Sequence, residues 1–292
     1  MSRWGASSLL LKLLKSRPLE FVLLVLVSVF TTAFIPARDG GGWARPIPHP
    51  EERIVENADT IPVLMYHALS SEAHELHADS GTVVPAEEFQ AQVAWLKKQG
   101  YTTPKMAEFG KWLAGEKTLP RKSILITFDD GYRSFLEYGF PVLQEHGLSA
   151  VVFVIGGRTD SSTAGDRHLS WDDMAAMAES GLVEYQSHTY DGHGGTSEAP
   201  EILDWQVAEL AEDLQRFKGR FRDHGLPLPK AFAYPFGAMS DWMPAVLQEE
   251  GYEFAFTIKH GFVCTGDDPF RLNRITIWPG TSLEQFERCI TP

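Results

Sequence analysis

Cysteine is nearly missing: Cys264 and Cys289 are the whole supply in 292 residues. That excludes a disulfide framework and a metal centre built on thiolates, and neither cysteine lies in a motif that would make it a nucleophile. In an exported protein the two could pair with each other. Basic residues are short as well, 26 against 39 acidic ones, for a net charge of −13. Such a chain has no basic patch with which to neutralise phosphates, which argues against nucleic acid as a partner. The acidity is compatible with a neutral or cationic polymer, or with a metal-loaded site. Internal repeats are absent, and no second linker interrupts the chain after residue 60.

Long hydrophobic runs are scarce too. One stands out, Phe21 to Ile35, preceded by Arg3, Lys12, Lys15 and Arg17. Extended to residues 19–37 it approaches the roughly 20 residues needed to span a bilayer, and the basic residues before it place the N-terminus in the cytoplasm. It reads as a retained membrane anchor, with a signal peptide cleaved after Ala33 or Ala37 as the alternative. Residues 1–18 are then a cytoplasmic basic segment. Residues 38–60, with Gly40–Gly42 and Pro46, Pro48 and Pro50, form a linker, and 61–292 are one domain facing the outside.

What is present in that domain is an alternation of strands and helices. Short apolar runs at 61–67, 123–128, 149–155, 183–187, 231–234, 254–258 and 275–278 read as strands. Helices are predicted at 85–96, 106–113, 134–146, 171–180, 203–222, 241–250 and 283–288, several of them stopped by glycine, and 101–102 reads as a further short strand. Hydrophobic content of 43% and charged content of 22% are globular values. The order implies parallel strands joined by crossover helices. Seven or eight of them in a single domain suggest an α/β barrel more than an open sheet.

The stretch Ser123-Ile-Leu-Ile-Thr-Phe-Asp129-Asp130-Gly131-Tyr132 is the centre of the chain. Two adjacent carboxylates at the tip of a buried strand repel each other and are costly to desolvate. A metal ion, or a proton shared with a partner, makes the pair tolerable; a helix start capped by Asp130 is the plainer reading. His67, His188 and Tyr234-Pro235-Phe236-Gly237 also fall at C-terminal ends of predicted strands, the face on which α/β barrels carry their sites. His188 and His193 can fold towards one ion across a strand-to-loop turn. With Asp130 they make a two-histidine, one-carboxylate set that leaves positions open for water and substrate. Zn²⁺ is the first candidate, with Fe²⁺, Co²⁺ and Ni²⁺ as alternatives.

Thr127-Phe-Asp129-Asp130-Gly131 resembles the first motif of the polysaccharide deacetylase (NodB-homology, carbohydrate esterase) family, His188-Thr189 with His193 its second, and Tyr234-Pro235-Phe236-Gly237 its third. The likeness covers roughly residues 60–290 and implies an irregular (β/α) barrel. It implies Asp129 as general base, Asp130, His188 and His193 as ligands of a divalent metal, and the amide of Phe236 in an oxyanion site. The family's usual late Leu-x-His is missing, since no histidine follows His260. His67 in Leu-Met-Tyr-His resembles instead the permuted branch that acts on poly-β-1,6-N-acetylglucosamine, where it would be the acid. The family arginine expected three residues before Pro235 is Phe232 here, which leaves open what orients Asp129; Arg271 and Arg274 are the candidates to reach in. Neither Trp242 nor Trp278 can be matched to the family's fourth-motif tryptophan.

The function implied is removal of N-acetyl groups from N-acetylglucosamine units of an extracellular polysaccharide. Tyr66, Tyr190, Trp171 and Trp242 are candidates to stack on sugar rings, or else core residues. Peptidoglycan and chitin-type oligomers carry the same acetamide and remain alternatives. A non-catalytic sugar-binding relative would have lost Asp129 or His67, and both are present. A structural metal site would need a fourth ligand, and only three are evident.

Overall fold

The computed structural model describes residues 57–71, 81–163 and 166–292. The expected anchor at 19–37 and most of the linker lie outside the described residues. No helix among the described residues is long and apolar enough to cross a membrane.

Seven short strands form the centre: β1 (Val63–Tyr66), β2 (Leu125–Phe128), β3 (Ala150–Val154), β4 (Val183–Ser187), β5 (Ala231–Ala233), β6 (Phe254–His260) and β7 (Leu272–Thr276). All neighbouring pairs are parallel. Each strand pairs with the next in sequence and β7 returns to β1, so the ring is closed. It is irregular: β4 and β5 touch through one pair, Phe232 with Ser187, and the β6–β7 register shifts between Phe256 and His260. The helices are α1 (Ala86–Gln99), α2 (Met106–Leu113), α3 (Phe140–His146), α4 (Trp171–Ala178), α5 (Val207–Asp223), α6 (Met243–Glu249) and α7 (Leu283–Ile290).

The period of two along each strand sorts side chains between lumen and outer layer. Val63, Leu125, Val151, Phe153, Ala231, Ala233, Phe254, Phe256 and Leu272 form one cluster with Met106, Phe109, Trp112 and Leu113 of α2. These residues fill the lumen, and α2 closes its N-terminal end. The intervening residues Leu64, Tyr66, Ile126, Phe128, Val152 and Val154 pack outward against α1, α3, α4, α5 and α7. Phe232 and Tyr234 pack outward against α5 and α6. The lumen is therefore plugged below and open only where the strands end.

Some expected elements change. The strand expected at 101–102 is a single bridge between Thr102 and Ser123. The helix expected from 134 starts as a π-turn, Phe135–Gly139, before α3. The long helix expected at 203–222 is a 3₁₀ turn, Glu201–Asp204, followed by α5. The last strand begins earlier than expected, because Leu272 and Arg274 alternate towards the lumen although Asn273 and Arg274 break the apolar run. Residues 57–60, assigned to the linker, already belong to the domain. Ala58 N–H donates to Leu119 O at 2.8 Å, and Thr60–Ile61 pair antiparallel with Val263–Cys264. Both cysteines are free thiols.

Helices α5 and α6 are tied at their solvent edge. Lys218 Nζ donates to Glu250 Oε2 at 2.5 Å and to Glu250 O at 2.8 Å, and Gln215 Nε2 donates to Glu250 Oε1 at 2.8 Å. Burial pushes the Glu250 carboxyl up, but Lys218 and Gln215 outweigh it and the net shift is downward. An acid lowered in the folded state stabilises above its unfolded pKa and loses that contribution as pH falls through its folded value. Glu250→Ala is therefore expected to cost about 1 kcal/mol near pH 7 and progressively less below about pH 4. Urea unfolding across pH checks this; a cost independent of pH would rule out the ionic contribution.

Candidate active site

At the open end of the barrel, five strands deliver the residues singled out in the sequence. His67 follows β1, Asp129 and Asp130 follow β2, His188 follows β4, Pro235-Phe236-Gly237 follow β5, and Arg274 stands inside β7. Asp129 is brought beside β1 by its N–H, which donates to Tyr66 O at 2.9 Å. Asp130 then turns at φ 70° and Gly131 at φ 78°. A Cβ on Gly131 would also lie 2.9 Å from a Val154 methyl carbon, so glycine is required twice over. Of the four non-glycine residues with positive φ among the described residues, three are here: Asp130, Thr189 and Phe236. Such backbone costs of order 1–3 kcal/mol per residue and persists where surrounding contacts over-determine it.

Asp130, His188 and His193 converge. Asp130 Oδ1 lies 3.4 Å from His188 Nε2 and 3.3 Å from His193 Nε2. One ligand atom from each lies within 4.8 Å of the others. His188 Nδ1–H donates to Ala233 O at 2.8 Å, which leaves Nε2 as the lone-pair nitrogen facing Asp130. Asp130 Oδ1 is buried and satisfies no hydrogen bond of ordinary geometry. Burial pushes the Asp130 carboxyl up, but its contact with the adjacent His188 is the foremost of the effects that hold it far below the usual range. His193 is pulled down to about 4 by burial and by its neighbour His188, so it is a neutral imidazole at neutral pH. A buried ionised oxygen without a donor, facing two imidazole nitrogens, is the donor set of a divalent cation with open coordination positions.

Asp129 is compensated differently. Arg274 Nη1 and Nη2 donate to Asp129 Oδ1 and Oδ2, each at 2.7 Å, in a bidentate fork. Arg274 is fully buried; its Nε–H donates to Thr257 O at 2.9 Å, and its guanidinium sits 5.6 Å from the Phe153 ring centre. Burial pushes Asp129 up, yet Arg274, His188 and His67 together bring it below the ordinary carboxylate value. His67 is only partly buried and close enough for its charge to act on both aspartates.

Of the two arginines expected as partners of Asp129, the fold selects Arg274. Arg271 points to the surface and pairs with Asp241 and Asp268. Phe232 faces the outer layer, so the position three residues before Pro235 cannot reach Asp129 in this barrel. Two site assignments need correction. Tyr66 is buried outside the barrel, stacked on Phe128, with its hydroxyl donating to Gln92 Oε1 at 2.7 Å, and offers nothing to a substrate. Tyr234 is likewise buried and donates to Phe270 O at 3.1 Å. What remains at the site from this motif is the buried Pro235 and Phe236, whose ring centre is 4.5 Å from that of His193. Trp171 belongs to the core, stacked on His224 and edge-on to Phe221. Trp242 packs half-buried beside α6, and Tyr190 lies under the Arg216 guanidinium. A buried arginine in a lumen-facing register was the signal for Arg274. Asp213, on the buried face of α5, accepts the amides of Tyr190 and Asp191 at 2.7 Å each, and the sequence reading missed it.

Arg274→Met would leave Asp129 as an unpaired buried charge, at an expected cost of about 3–5 kcal/mol. Chemical denaturation checks this, and an unchanged midpoint would show that the fork contributes nothing to the folded state.

Residues 116–255 match the family model described as polysaccharide deacetylase. A Bacillus subtilis protein named as a polysaccharide deacetylase, YxkH, is 29% identical over 231 residues, 79% of this chain and 76% of that protein. The poly-β-1,6-N-acetyl-D-glucosamine N-deacetylase of Staphylococcus epidermidis is 27% identical over 196 residues, 66% of this chain and 68% of the relative. Among solved structures, IcaB from Ammonifex degensii superposes with a TM-score of 0.71 at 28% identity, covering 81% of this chain and 99% of that one. With the motif residues gathered at one barrel mouth, these likenesses identify residues 116–255 as a polysaccharide deacetylase family domain.

Proposed function

We propose that this polysaccharide deacetylase hydrolyses the N-acetyl groups of poly-β-1,6-N-acetylglucosamine on the outer side of the cell membrane. The observation that carries the reading is the division of labour between Asp129, free of the cation set and held by Arg274, and Asp130, turned towards His188 and His193. The linkage is supported by the substrate named for the Staphylococcus epidermidis relative. The outer location is supported by the basic residues ahead of the apolar run at 19–37.

A divalent ion held by Asp130, His188 and His193, with Zn²⁺ our choice, would supply the positive charge that polarises a carbonyl and acidifies a water. The chain supplies the rest. Asp129, kept ionised by Arg274, accepts the proton of the attacking water as its oxygen adds to the acetyl carbon. The backbone N–H of Phe236, set by the turn at φ 55°, is offered to the oxyanion. His67, on the opposite side of the aspartates, gives its proton to the glucosamine nitrogen as the C–N bond breaks; an amide expels a basic nitrogen poorly without that proton. Acetate and a free amine leave, and the proton on Asp129 restores His67 directly or through solvent.

Asp129→Asn and His67→Ala are each expected to lower acetate release from poly-β-1,6-N-acetylglucosamine by about 10²–10⁴-fold, with Zn²⁺ content and circular dichroism retained. Undiminished release by the Asp129→Asn variant would remove the mechanism. Faster release by the wild-type enzyme from β-1,4 chitooligosaccharides or peptidoglycan would reassign the linkage.

A further inference from the structure

The two histidines are separated by Thr189, Tyr190, Asp191 and Gly192, a spacing that places them on one side of neither a helix nor a strand. Their convergence on Asp130 therefore depends on what shapes the loop from outside. Its backbone is held at successive residues. Gly156 N–H donates to Thr189 O at 3.0 Å and Gly157 N–H donates to Tyr190 O at 2.8 Å. Asp213 Oδ2 accepts Tyr190 N–H and Asp213 Oδ1 accepts Asp191 N–H, both at 2.7 Å. Arg158 Nη2 donates to His193 O at 3.2 Å.

Asp213 is out of place by pattern. It lies on the buried face of α5 with Leu210, Leu214, Phe217 and Phe221, where an apolar residue would be expected. Burying a carboxylate there is unfavourable unless it is used, and it is used on two amides that an aliphatic side chain would leave unpaired. The glycines are constrained just as closely. A Cβ on Gly157 would lie 2.3 Å from Asp191 Oδ1 and 2.8 Å from Tyr190 O; one on Gly156 would lie 2.6 Å from the Tyr190 ring. Thr189 is driven to φ 70° within this frame. Outside it, Arg216 pairs with Asp191 at 2.5 Å and covers the Tyr190 ring at 4.0 Å.

We propose that Asp213, working with the Gly156-Gly157 turn, is a positioning residue that moulds the 189–192 loop so that His188 and His193 present their Nε2 atoms to one cation. Its carboxylate is spent on two N–H groups between the ligands and acts through that backbone. The inference rests on the metal reading above and assigns the cause of the site's geometry to a helix that contributes no ligand.

The test is Zn²⁺ affinity of the full chain, measured by chelator competition, beside thermal melting of the metal-free protein. Asp213→Asn keeps the shape but turns an amide donor towards one of the loop N–H groups; the Zn²⁺ dissociation constant is expected to rise about 10–100-fold. Gly157→Ala changes no charge, sits at an exposed position, and should shift the constant in the same direction by forcing the loop away. Leu214→Ala, one residue along α5, should lower the melting temperature while leaving Zn²⁺ affinity within about threefold, since it removes core packing and none of the hydrogen bonds that hold the loop. Asp213→Asn and Gly157→Ala both binding Zn²⁺ like the wild type would overturn the proposal and leave the metal reading intact. Failure of the wild type to bind Zn²⁺ would overturn both. Equal weakening in Leu214→Ala would reduce Asp213 to general stability and overturn the positioning role.

Discussion

Two carboxylates, adjacent in sequence and both buried, have to be compensated in different ways, and the rest of the barrel mouth follows from that constraint. Asp129 receives a bidentate guanidinium and is satisfied within the protein. Asp130 receives no such donor and faces two imidazole nitrogens instead. If both were paired with arginine, no cation site would exist; if neither were, their mutual repulsion and desolvation would favour protonation. The reversal of the backbone at Asp130 and Gly131 separates the two side chains and allows each its own partner.

The closed order of the strands makes this separation possible. β1 and β7 flank β2 on one side of the ring, so His67 and Arg274 approach the aspartates from there. β3, β4 and β5 complete the circle and bring His188, His193 and Phe236 from the other. The Ala233 carbonyl at the end of β5 fixes the His188 tautomer, and the turn after β3 and helix α5 hold the loop that carries His193. The lumen beneath is filled by Phe153, Phe256 and Phe109, so Arg274 rests on an aromatic floor with its charge spent on Asp129. A buried pair of this kind adds little net stability, because desolvation offsets attraction, and what it confers is a fixed orientation.

How far the site was legible depended on whether a residue's role is local. Asp129, Asp130, His188 and His193 were readable because strand-end carboxylates and a histidine-bearing turn are visible within a few residues. The place of His67 at the barrel mouth was readable from its position at the end of the first strand. Tyr66 was misread because a strand's period says which residues share a face, not which face is the lumen; one residue from His67, it points into the helical layer. Phe232 looked like a missing arginine for the same reason, since the guanidinium arrives from β7, some forty residues later. Asp213 left only a faint trace, a carboxylate interrupting the apolar stripe of α5.

By itself the sequence determined the alternation of strands and helices, the side of the strands on which chemistry gathers, and the residue types assembled there, because each of these is written in short-range periodicity and motif. The tertiary structure alone decided which arginine orients Asp129, which aromatics are core, and what bends the loop between His188 and His193. Those outcomes depend on ring closure and on lumen-facing register, which juxtapose residues far apart in the chain and which no local pattern encodes. The opening pair of aspartates is thus a local signature whose two fates are settled by distant partners.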